Sequence, residues 1–461
     1  MERGGGKSDG EVQEDLGETP PAEPSCAFPV DTTDQLQALL DEYRSTTRPI
    51  PVSFRDIVSW IKIGERATHY LHSYPAKLLP HIAHFFLASQ RFCPANGLVL
   101  DPFSGSGTVA LEACLSGRPA AYADTNPLAC LITEAKLRAI PILTLQAAFE
   151  RVSARYLKSR VVQHPTVVNM HKWFQPTVIR SLARLRAAIE PESSADLQKF
   201  LQVTFSATVR RVSNADPRLS VPVLPKEGRA PLRSEDVWQC FADQFGANAR
   251  RIEKLTRLCP SPLRLTQAGD DARRMHVSSG GHLATDSVDL VLTSPPYAGA
   301  QKYIRASSLS LGWLGLAEAG QLKPLENATI GREHLPGADD QVVETSIAAA
   351  NAVISRIWKK NPLRAAICAT YLNEMEAVFD EVHKVMRPGG NLILVIGNNE
   401  VCGQKFMSSD YLREMIERKD FQLELALIDE IKSRGLMTKR NRSASVITRE
   451  WVMVFSKNRK C

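Results

Sequence analysis

Short apolar runs alternate with longer segments of helical period along much of this 461-residue chain. Each run is four to seven residues long and is bounded by polar, Gly or Pro residues, which is typical of buried strands. The runs are Leu98–Asp101, Ala120–Asp124, Leu263–Ala268, Val288–Thr293, Asn391–Ile396, Leu423–Asp429 and Trp451–Phe455. Helical segments fall between several of them. This alternation predicts an α/β fold built on a seven-stranded, mostly parallel sheet.

Capping and breaking residues predict where some helices begin and end. One helix is expected over Asp31–Tyr43, with Asp31, Thr32 or Thr33 as its N-cap. A second is expected over Thr108–Ser116, ended by Gly117, and a third over Ala365–Met386. The last two strands are joined by a polar segment without a clear helix, which predicts an antiparallel hairpin at the sheet edge.

Composition divides the chain into four expected parts. Residues 1–30 are polar, acidic and rich in Gly and Pro, which predicts a disordered tail. Residues 31–135 are expected to hold N-terminal helices and the first half of the α/β core. Residues 136–262 are predicted to form a mainly helical insertion, and 263–458 the second half of the core. The insertion is a candidate target-recognition region.

Charge is distributed unevenly along the chain. The formal net charge is +7, but residues 151–262 carry 19 Lys/Arg against 9 Asp/Glu, a net of +10, so the rest sums to −3. This excess predicts a polyanionic partner, although a solvated helical surface explains a charge excess equally well. The candidate phosphate contacts are Arg210, Arg211, Arg218, Lys226 and Arg229, with a second group at Lys439, Arg440 and Arg442.

Other compositional features exclude several classes of protein. The hydrophobic and charged fractions, 44% and 23%, are ordinary for a soluble globular protein. The chain has no run of 18 apolar residues and no apolar signal core, so we expect no membrane partner. Nine cysteines occur without CxxC spacing. We therefore expect neither a metal site nor disulfides, and a reducing cytoplasm as the location.

A glycine-rich turn, Asp101–Thr108, follows the first predicted strand. Gly105 and Gly107 allow the backbone to approach a ligand, and the amides of the following helix favour an anionic group. Asp101 would repel a pyrophosphate but can pair with the cationic amine of a methionine moiety. The alternative is a simple strand-to-helix turn.

Further acids end the next two strands. Asp124 can bind both hydroxyls of a ribose, although a capping role within Asp124–Pro127 fits the spacing equally well. After the third strand, Asp270 or Asp271 could accept a hydrogen bond from an adenine amine. Asp271 is slightly preferred, and the sequence does not separate the two.

The segment Ser294–Tyr297 follows the apolar strand Val288–Thr293. Its two prolines, Pro295 and Pro296, remove two amide donors and stiffen the chain. The Ser294 hydroxyl and the Pro295 carbonyl can then accept the two hydrogens of a base amine, while Tyr297 can stack on a base turned out of a helix. A stiff loop after a strand is the alternative.

These segments resemble the motifs of amino-methyltransferases that act on DNA. Asp101–Thr108 resembles motif I, and Thr293–Tyr297 resembles motif IV in the form found in the cytosine-N4 group. Adenine-N6 enzymes more often carry an acid or Asn in place of Ser294. His72–Lys77 is similar to the segment that precedes motif I and helps cover the cofactor. Weaker resemblances are at Arg210–Asp216, Gln301–Tyr303 and Arg387–Gly390.

The resemblance implies a Rossmann-like class I methyltransferase fold, S-adenosylmethionine as cofactor and DNA as substrate. It implies cytosine-N4 methylation in a restriction–modification context, near the nucleoid, with a restriction endonuclease that acts independently. Many cytosine-N4 enzymes have the reverse motif order, so their domain layout does not transfer. The oligomeric state stays open. The implied catalytic segment is Ser294, Pro295, Pro296 and Tyr297, and the implied cofactor-binding residues are Tyr74, Lys77, Asp101, Phe103, Ser104, Gly105, Gly107, Thr108, Asp124, Asn126, Asp270 and Asp271.

Three alternatives to this interpretation remain open. Adenine-N6 methylation would keep the fold and the mechanism. An RNA guanine-N2 methyltransferase can share both motifs, and a binding protein can retain the fold without activity.

Methylation at carbon 5 would call for a cysteine nucleophile in a Pro-Cys pair, but Cys93-Pro94 and Cys259-Pro260 have the opposite order.

Overall fold

The structure, a computed structural model, describes residues 30–64, 66–259, 263–299, 302–335, 344–430 and 448–459. Most of the segment predicted as a disordered tail, residues 1–30, lies outside these ranges, as does Gln301.

The strands are β1 Ile50–Val52, β2 Val99–Asp101, β3 Ala120–Ala123, β4 Leu265–Gly269, β5 Val288–Thr293, β6 Met386–Ile396, β7 Asn399–Val401, β8 Gln404–Phe406, β9 Phe421–Glu430 and β10 Arg449–Lys457. The α-helices are α1 Thr33–Thr46, α2 Phe54–Ile57, α3 Pro80–Leu87, α4 Thr108–Leu115, α5 Pro127–Lys136, α6 Ile142–Lys158, α7 Met170–Trp173, α8 Pro176–Ile189, α9 Ala195–Val212, α10 Ser234–Leu258, α11 Tyr303–Leu314, α12 Leu322–Ala328, α13 Ala348–Trp358, α14 Pro362–Val385 and α15 Ser408–Glu417.

One large sheet organises the molecule. Its strand order is β1-β9-β10-β6-β5-β2-β3-β4, and β10 alone runs antiparallel to its neighbours, β6 and β9. From β2 the chain builds outward through β3 and β4, and it then returns to the other side of β2 through β5 and β6. Ligands of such sheets bind at the carboxyl ends of the strands where this order reverses. The arrangement confirms the expected Rossmann-like class I methyltransferase fold.

The expected number of strands was wrong, because the sheet has eight strands rather than seven. The additional strand, β1, pairs in parallel with β9, with Ile50 opposite Leu427. It is only three residues long and contains Pro51, so it has no visible period and carries a residue that argues against a strand. The proline is tolerated because β1 is an edge strand. The hairpin of β9 and β10 therefore lies beside the edge rather than at it.

The buried apolar side chains of the described residues form two cores. The first lies around the sheet and includes the buried faces of α3, α4 and α14. The second is formed by the helices α6 to α10 together with α5 and α11. Aromatic side chains dominate its centre, where Phe200 and Trp313 are fully buried. The segment between β3 and β4 is thus mainly helical, and its core packs it against the helices that flank the sheet.

Helix α4, which follows the glycine turn, carries one buried acid. Every residue of α4 is buried, and Glu112 is only 1% exposed. Its carboxylate accepts two hydrogen bonds of 2.7 Å from Arg66 and contacts His69 Nε2 at 2.6 Å and His84 Nδ1 at 3.1 Å. Burial alone would raise the pKa of Glu112, but the Arg66 charge and these hydrogen bonds hold it well below its usual range.

Replacement of this acid should destabilise the whole core. We expect Glu112→Gln to lower the free energy of unfolding by about 3–5 kcal/mol, because it leaves the Arg66 charge without its partner. Urea denaturation measures the change. The control is Glu190→Gln, which removes an exposed pair with Arg186 on α8 and should cost less than about 0.5 kcal/mol. Equal losses of stability in both variants would contradict the prediction.

Candidate active site

Strands β2 and β5 bring the two sequence motifs together. They pair in parallel, with Leu100 opposite Val291. At their carboxyl ends the Thr293 hydroxyl donates a 2.7 Å hydrogen bond to Asp101 Oδ1, which also accepts from the Phe103 amide at 3.1 Å. Two segments that are far apart in the sequence therefore meet side chain to side chain.

The environment of Asp101 makes its negative charge costly. Its side chain is buried at the base of the glycine turn. Burial raises the pKa of Asp101 to about 7, against the lowering effect of the Thr293 and Phe103 hydrogen bonds, and the nearby Asp124 charge raises it further. A ligand ammonium group beside this carboxylate would favour the charged form.

The glycine turn brings bare backbone close to its neighbours. Gly105 and Gly107 have φ angles of +51° and +72°, a region that favours glycine. A Cβ on Gly107 would lie 2.8 Å from Thr133 Oγ1 and 3.0 Å from its Cα, so α5 packs directly on this glycine. Gly105 N donates to Asp124 Oδ2 at 2.8 Å. Ser104 and Thr108 are buried within the same turn.

The local geometry of Asp124 is compatible with both roles considered for it. Its Oδ1 accepts a 2.8 Å hydrogen bond from Asn126 N, as in a turn that precedes a helix. The Asn126 side chain itself caps α5 by accepting from Leu128 N. Asp124 also lines the cavity that is described below, so a role in binding a ligand stays compatible with the capping role. Burial raises the pKa of Asp124 to about 6, against the two backbone hydrogen bonds that lower it.

A cavity lies over the carboxyl ends of β2, β3 and β5. Its walls come from the glycine turn, the turn after β3, the Ser294–Tyr297 segment, the start of α11 and the segment after α12. The lining residues are Tyr74, Ala76, Pro102, Phe103, Gly105, Asp124, Thr125, Asn126, Ala272, Ser294, Pro296, Tyr303, Thr329 and Ile330.

Two tyrosines form one wall of this cavity. The rings of Tyr74 and Tyr303 stack with their centroids 6.2 Å apart and an interplanar angle of 14°. The Tyr74 hydroxyl accepts a 3.0 Å hydrogen bond from Asn126 Nδ2, which also donates to Ser307. The residues that precede the glycine turn, the start of α5 and α11 are thereby joined at the cavity.

Lys77, Asp270 and Asp271 are not among the residues that line the cavity. Lys77 Nζ donates to the carbonyls of His72 and His69 at 2.8 and 3.3 Å, and burial lowers its pKa to about 8. The Asp270 side chain is 78% exposed. Asp271 is buried, and its carboxylate is bound by the Arg273 guanidinium at 2.8–3.1 Å. The structure thus places Ala272, rather than either carboxyl group, at the cavity wall.

The Ser294–Tyr297 segment borders the cavity with its first and third residues. Pro295 and Pro296 are buried, whereas Ser294 is partly exposed. Tyr297 packs against the sheet core, and its hydroxyl donates a 2.9 Å hydrogen bond to Glu450 Oε1 on β10. The segment therefore presents Ser294 to the cavity from a backbone that is fixed by packing.

The wall formed by Thr329 and Ile330 was not predicted from the sequence. A network of ion pairs holds it, because Arg273 and Arg332 both contact Glu374 of α14 at 2.7–2.8 Å and donate to the carbonyls of Ala328 and Thr329. The next residue, Gly331, has φ +75°, and a Cβ there would lie 2.9 Å from the Tyr297 carbonyl. A single glycine in a polar segment is too weak a signal to predict this close approach.

Among the basic residues predicted to contact DNA phosphates, Arg210 is held by hydrogen bonds within the protein, whereas Arg211 and Lys226 are exposed to solvent. Arg210 donates to the carbonyls of Asp216 and Leu219 at 2.9 and 2.6 Å, and burial lowers its pKa. It therefore shapes the loop after α9. Arg211 and Lys226 are exposed. Lys439, Arg440 and Arg442 lie outside the described residues.

The described part of the chain shows neither a membrane span nor a metal cluster. None of its helices is long and apolar enough to cross a membrane. No cluster of three or more His, Cys, Asp or Glu side chains within it could hold a metal ion.

Sequence comparisons relate this chain to methyltransferases. Residues 69–165 match the family described as UPF0020: RMKL-like, methyltransferase domain. The chain is 24% identical over 362 residues to the Type II methyltransferase M.MvaI of Kocuria varians, which covers 72% of this chain and 77% of that protein. It is 33% identical over 78 residues to the Type II methyltransferase M.MjaII of Methanocaldococcus jannaschii, or 17% of this chain and 14% of that one.

A solved SAM-dependent methyltransferase from Methanosarcina mazei superposes with a TM-score of 0.31 at 10% identity, covering 83% of this chain and all of that one. Because this superposition is weak, the fold is assigned from the order and directions of the strands. The site and the relatives together define a methyltransferase. Its cofactor is S-adenosylmethionine. The cavity presents a carboxylate at Asp124, bare backbone at Gly105 and the ring of Phe103.

Acid should weaken cofactor binding in two stages if both strand-end acids hold the cofactor. Protonation removes the charge of Asp101 as pH falls through about 7 and that of Asp124 as it falls through about 6. Below each value we expect the affinity for S-adenosylmethionine to fall by up to about tenfold per pH unit. Calorimetric titration of the wild-type protein across this range measures the effect.

The matched variants are Asp101→Asn and Asp270→Asn. The first should bind weakly at all pH values and should lack the step near pH 7. The second removes an exposed carboxyl group and should follow the wild-type profile. A wild-type affinity that does not change with pH, or an Asp101→Asn profile with the same two steps, would exclude a role for the Asp101 charge.

Proposed function

We propose that this protein is a site-specific DNA methyltransferase that methylates the exocyclic N4 amine of cytosine. The observation that carries the proposal is the position of Ser294–Tyr297, which follows β5 directly beside Asp101 and borders the same cavity as the glycine turn. Groups that can hold the base amine and groups that can hold the methyl donor thus border one cavity. The likeness to a Type II methyltransferase over most of the chain supports DNA as the substrate.

The proposed chemistry is direct transfer to the base amine. The bound cofactor supplies a methyl group on a positively charged sulfur. The Ser294 hydroxyl and the Pro295 carbonyl accept the two amine hydrogens and so direct the nitrogen lone pair toward the methyl carbon. A nitrogen–carbon bond forms as the carbon–sulfur bond breaks, the sulfur keeps the bonding electrons, and the nitrogen releases one proton to water. The chain's contribution is positioning and exclusion of solvent.

The buried prolines explain why this segment can hold an amine. Pro295 and Pro296 are fixed by packing, and neither has an amide hydrogen that would compete for the acceptor groups. Gly331 packs against the Tyr297 carbonyl and confines the segment further. Acceptors held in this way lose little entropy when the base arrives.

The helical insertion is proposed to recognise the DNA target. Residues 136–262 contain the basic excess, and Arg211 and Lys226 present their charges at its surface. Exposed Val223 and Leu224 lie close to Lys226 in the chain. Contacts from basic side chains position a duplex through its phosphates. Methylation by such an enzyme would protect nucleoid DNA from a restriction endonuclease that acts independently.

Mass spectrometry of nucleosides tests the proposed reaction. DNA and RNA are incubated separately with the protein and labelled S-adenosylmethionine, and we expect label in N4-methylcytosine from DNA. Label in N6-methyladenine would correct the base and keep the mechanism. Label in N2-methylguanosine from RNA alone, or no label at all, would contradict the proposal.

The variants Ser294→Ala and Tyr297→Ala test the proposed roles of the Ser294–Tyr297 segment. Removal of one hydrogen bond to the amine should lower the turnover of Ser294→Ala by roughly tenfold or more, while cofactor affinity stays near the wild-type value. Tyr297→Ala should raise the KM for DNA. Steady-state kinetics with separate titration of DNA and cofactor distinguish the two effects. Wild-type turnover in both variants would remove these residues from the mechanism.

Charge reversal tests the proposed DNA surface. We expect Arg211→Glu and Lys226→Glu to weaken DNA binding and to flatten its dependence on salt, by about one unit of slope for each phosphate that the protein no longer neutralises. Arg257→Glu is the control, since Arg257 lies on the same basic insertion but is paired with Glu253. Binding measured by fluorescence anisotropy at several salt concentrations gives the slopes. Unchanged slopes for the first two variants would exclude both side chains from phosphate binding.

A further inference from the structure

The hydroxyl group of Tyr297 is held by a strand from the far end of the sequence. Tyr297 OH donates to Glu450 Oε1 at 2.9 Å, across 153 residues of chain. Glu450 is the second residue of β10, and β10 is separated from β5 by β6 in the sheet. The hydrogen bond therefore spans the top of an intervening strand. Such a bond constrains the direction of the tyrosine ring.

The backbone of the same segment has a separate anchor. Asn399 Nδ2, just after β6, donates to the Ala298 carbonyl at 3.1 Å, and Gly331 packs on the Tyr297 carbonyl. The main chain beyond Pro296 is thus fixed without Glu450. What Glu450 adds is control of the aromatic side chain.

The position of Glu450 is a costly place for an acid. In the β9–β10 pairing it lies directly opposite Asp429, and like charges opposite one another destabilise a sheet. Burial raises the pKa of Glu450, and the Asp429 charge raises it further, against the lowering effects of the Tyr297 hydrogen bond and of the Arg55 charge. Stability alone would favour a neutral side chain here, which points to a role for this hydrogen bond in function.

We infer that Glu450 is a positioning residue that sets the ring of Tyr297 for stacking on the target base. This inference rests on the proposed function, because it assigns a partner to the tyrosine of the acceptor segment. Glu450 touches neither the base nor the cofactor in this scheme. Its effect should appear in turnover and in base capture, and not in cofactor affinity.

A set of four variants tests the inference. Tyr297→Phe keeps the ring and removes the hydroxyl, Glu450→Ala removes the acceptor, and the double variant removes both. Glu450→Gln keeps an oxygen that can accept the hydrogen bond. The control is Glu424→Ala, which removes the acceptor of a 2.7 Å hydrogen bond from Ser456 toward the other end of the same pair of strands.

The assay measures kcat and KM on DNA amplified in vitro, which carries no methylation, together with the Kd for S-adenosylmethionine. We expect Tyr297→Phe and Glu450→Ala each to lower kcat/KM for DNA by about tenfold, with a cofactor Kd within about twofold of wild type. The double variant should be no worse than either single variant, because all three lack the same hydrogen bond. The kcat/KM of Glu450→Gln should lie within about threefold of the wild-type value. The kcat/KM of the control, Glu424→Ala, should equal the wild-type value.

Three results would overturn the inference. They are wild-type turnover in Glu450→Ala, reductions that multiply to about a hundredfold in the double variant, and a cofactor Kd that weakens in parallel with turnover. Failure of the proposed function looks different, since the wild-type protein would then leave amplified DNA unlabelled. If it labels RNA instead, the same proteins assayed on RNA decide whether Glu450 positions Tyr297.

Discussion

The hydrogen bond from Thr293 to Asp101 is the point on which the site depends. It joins the ends of two neighbouring parallel strands, and each strand leads into one of the segments that border the cavity. The glycine turn follows β2, which ends at Asp101, and the Ser294–Tyr297 segment follows β5. Because β2 and β5 flank the place where the strand order reverses, the helices that follow them diverge and leave space above the strand ends. The cavity is therefore a product of topology, and side chains only give it its chemical character.

The protein groups of the site leave an imbalance of charge. Asp101 and Asp124 lie close together, and burial disfavours the charged form of both. Two other buried acids, Glu112 and Asp271, are neutralised by arginine. The two acids at the glycine turn have backbone and hydroxyl donors instead. A cationic ligand would supply the missing positive charge and would favour the charged form of both acids.

Much of the fold can be predicted from the sequence because its strands are strongly apolar. The bounds predicted for Val288–Thr293 are those of β5, and the glycine turn is recognisable from residue types alone. Strand β1 escapes prediction because three residues around a proline carry no period. The same limit applies to the site. Motifs of adjacent residues are visible in the sequence, but pairs that tertiary structure brings together are not. Examples are the Glu450–Tyr297 bond and the Arg273–Glu374 pair, whose members are more than 100 residues apart.

The short strand β1 gives the sheet its outer boundary. Without it, the ten-residue strand β9 would be exposed along one side, with a row of unpaired backbone groups. Exposed strands of that length invite pairing with a second copy of the chain. Pro51, which has no N–H, ends the sheet at a strand that offers a poor template for further pairing. Strand β1 therefore covers the edge of β9, and a chain without β1 would expose that edge while the groups around the cavity kept their places in the sheet.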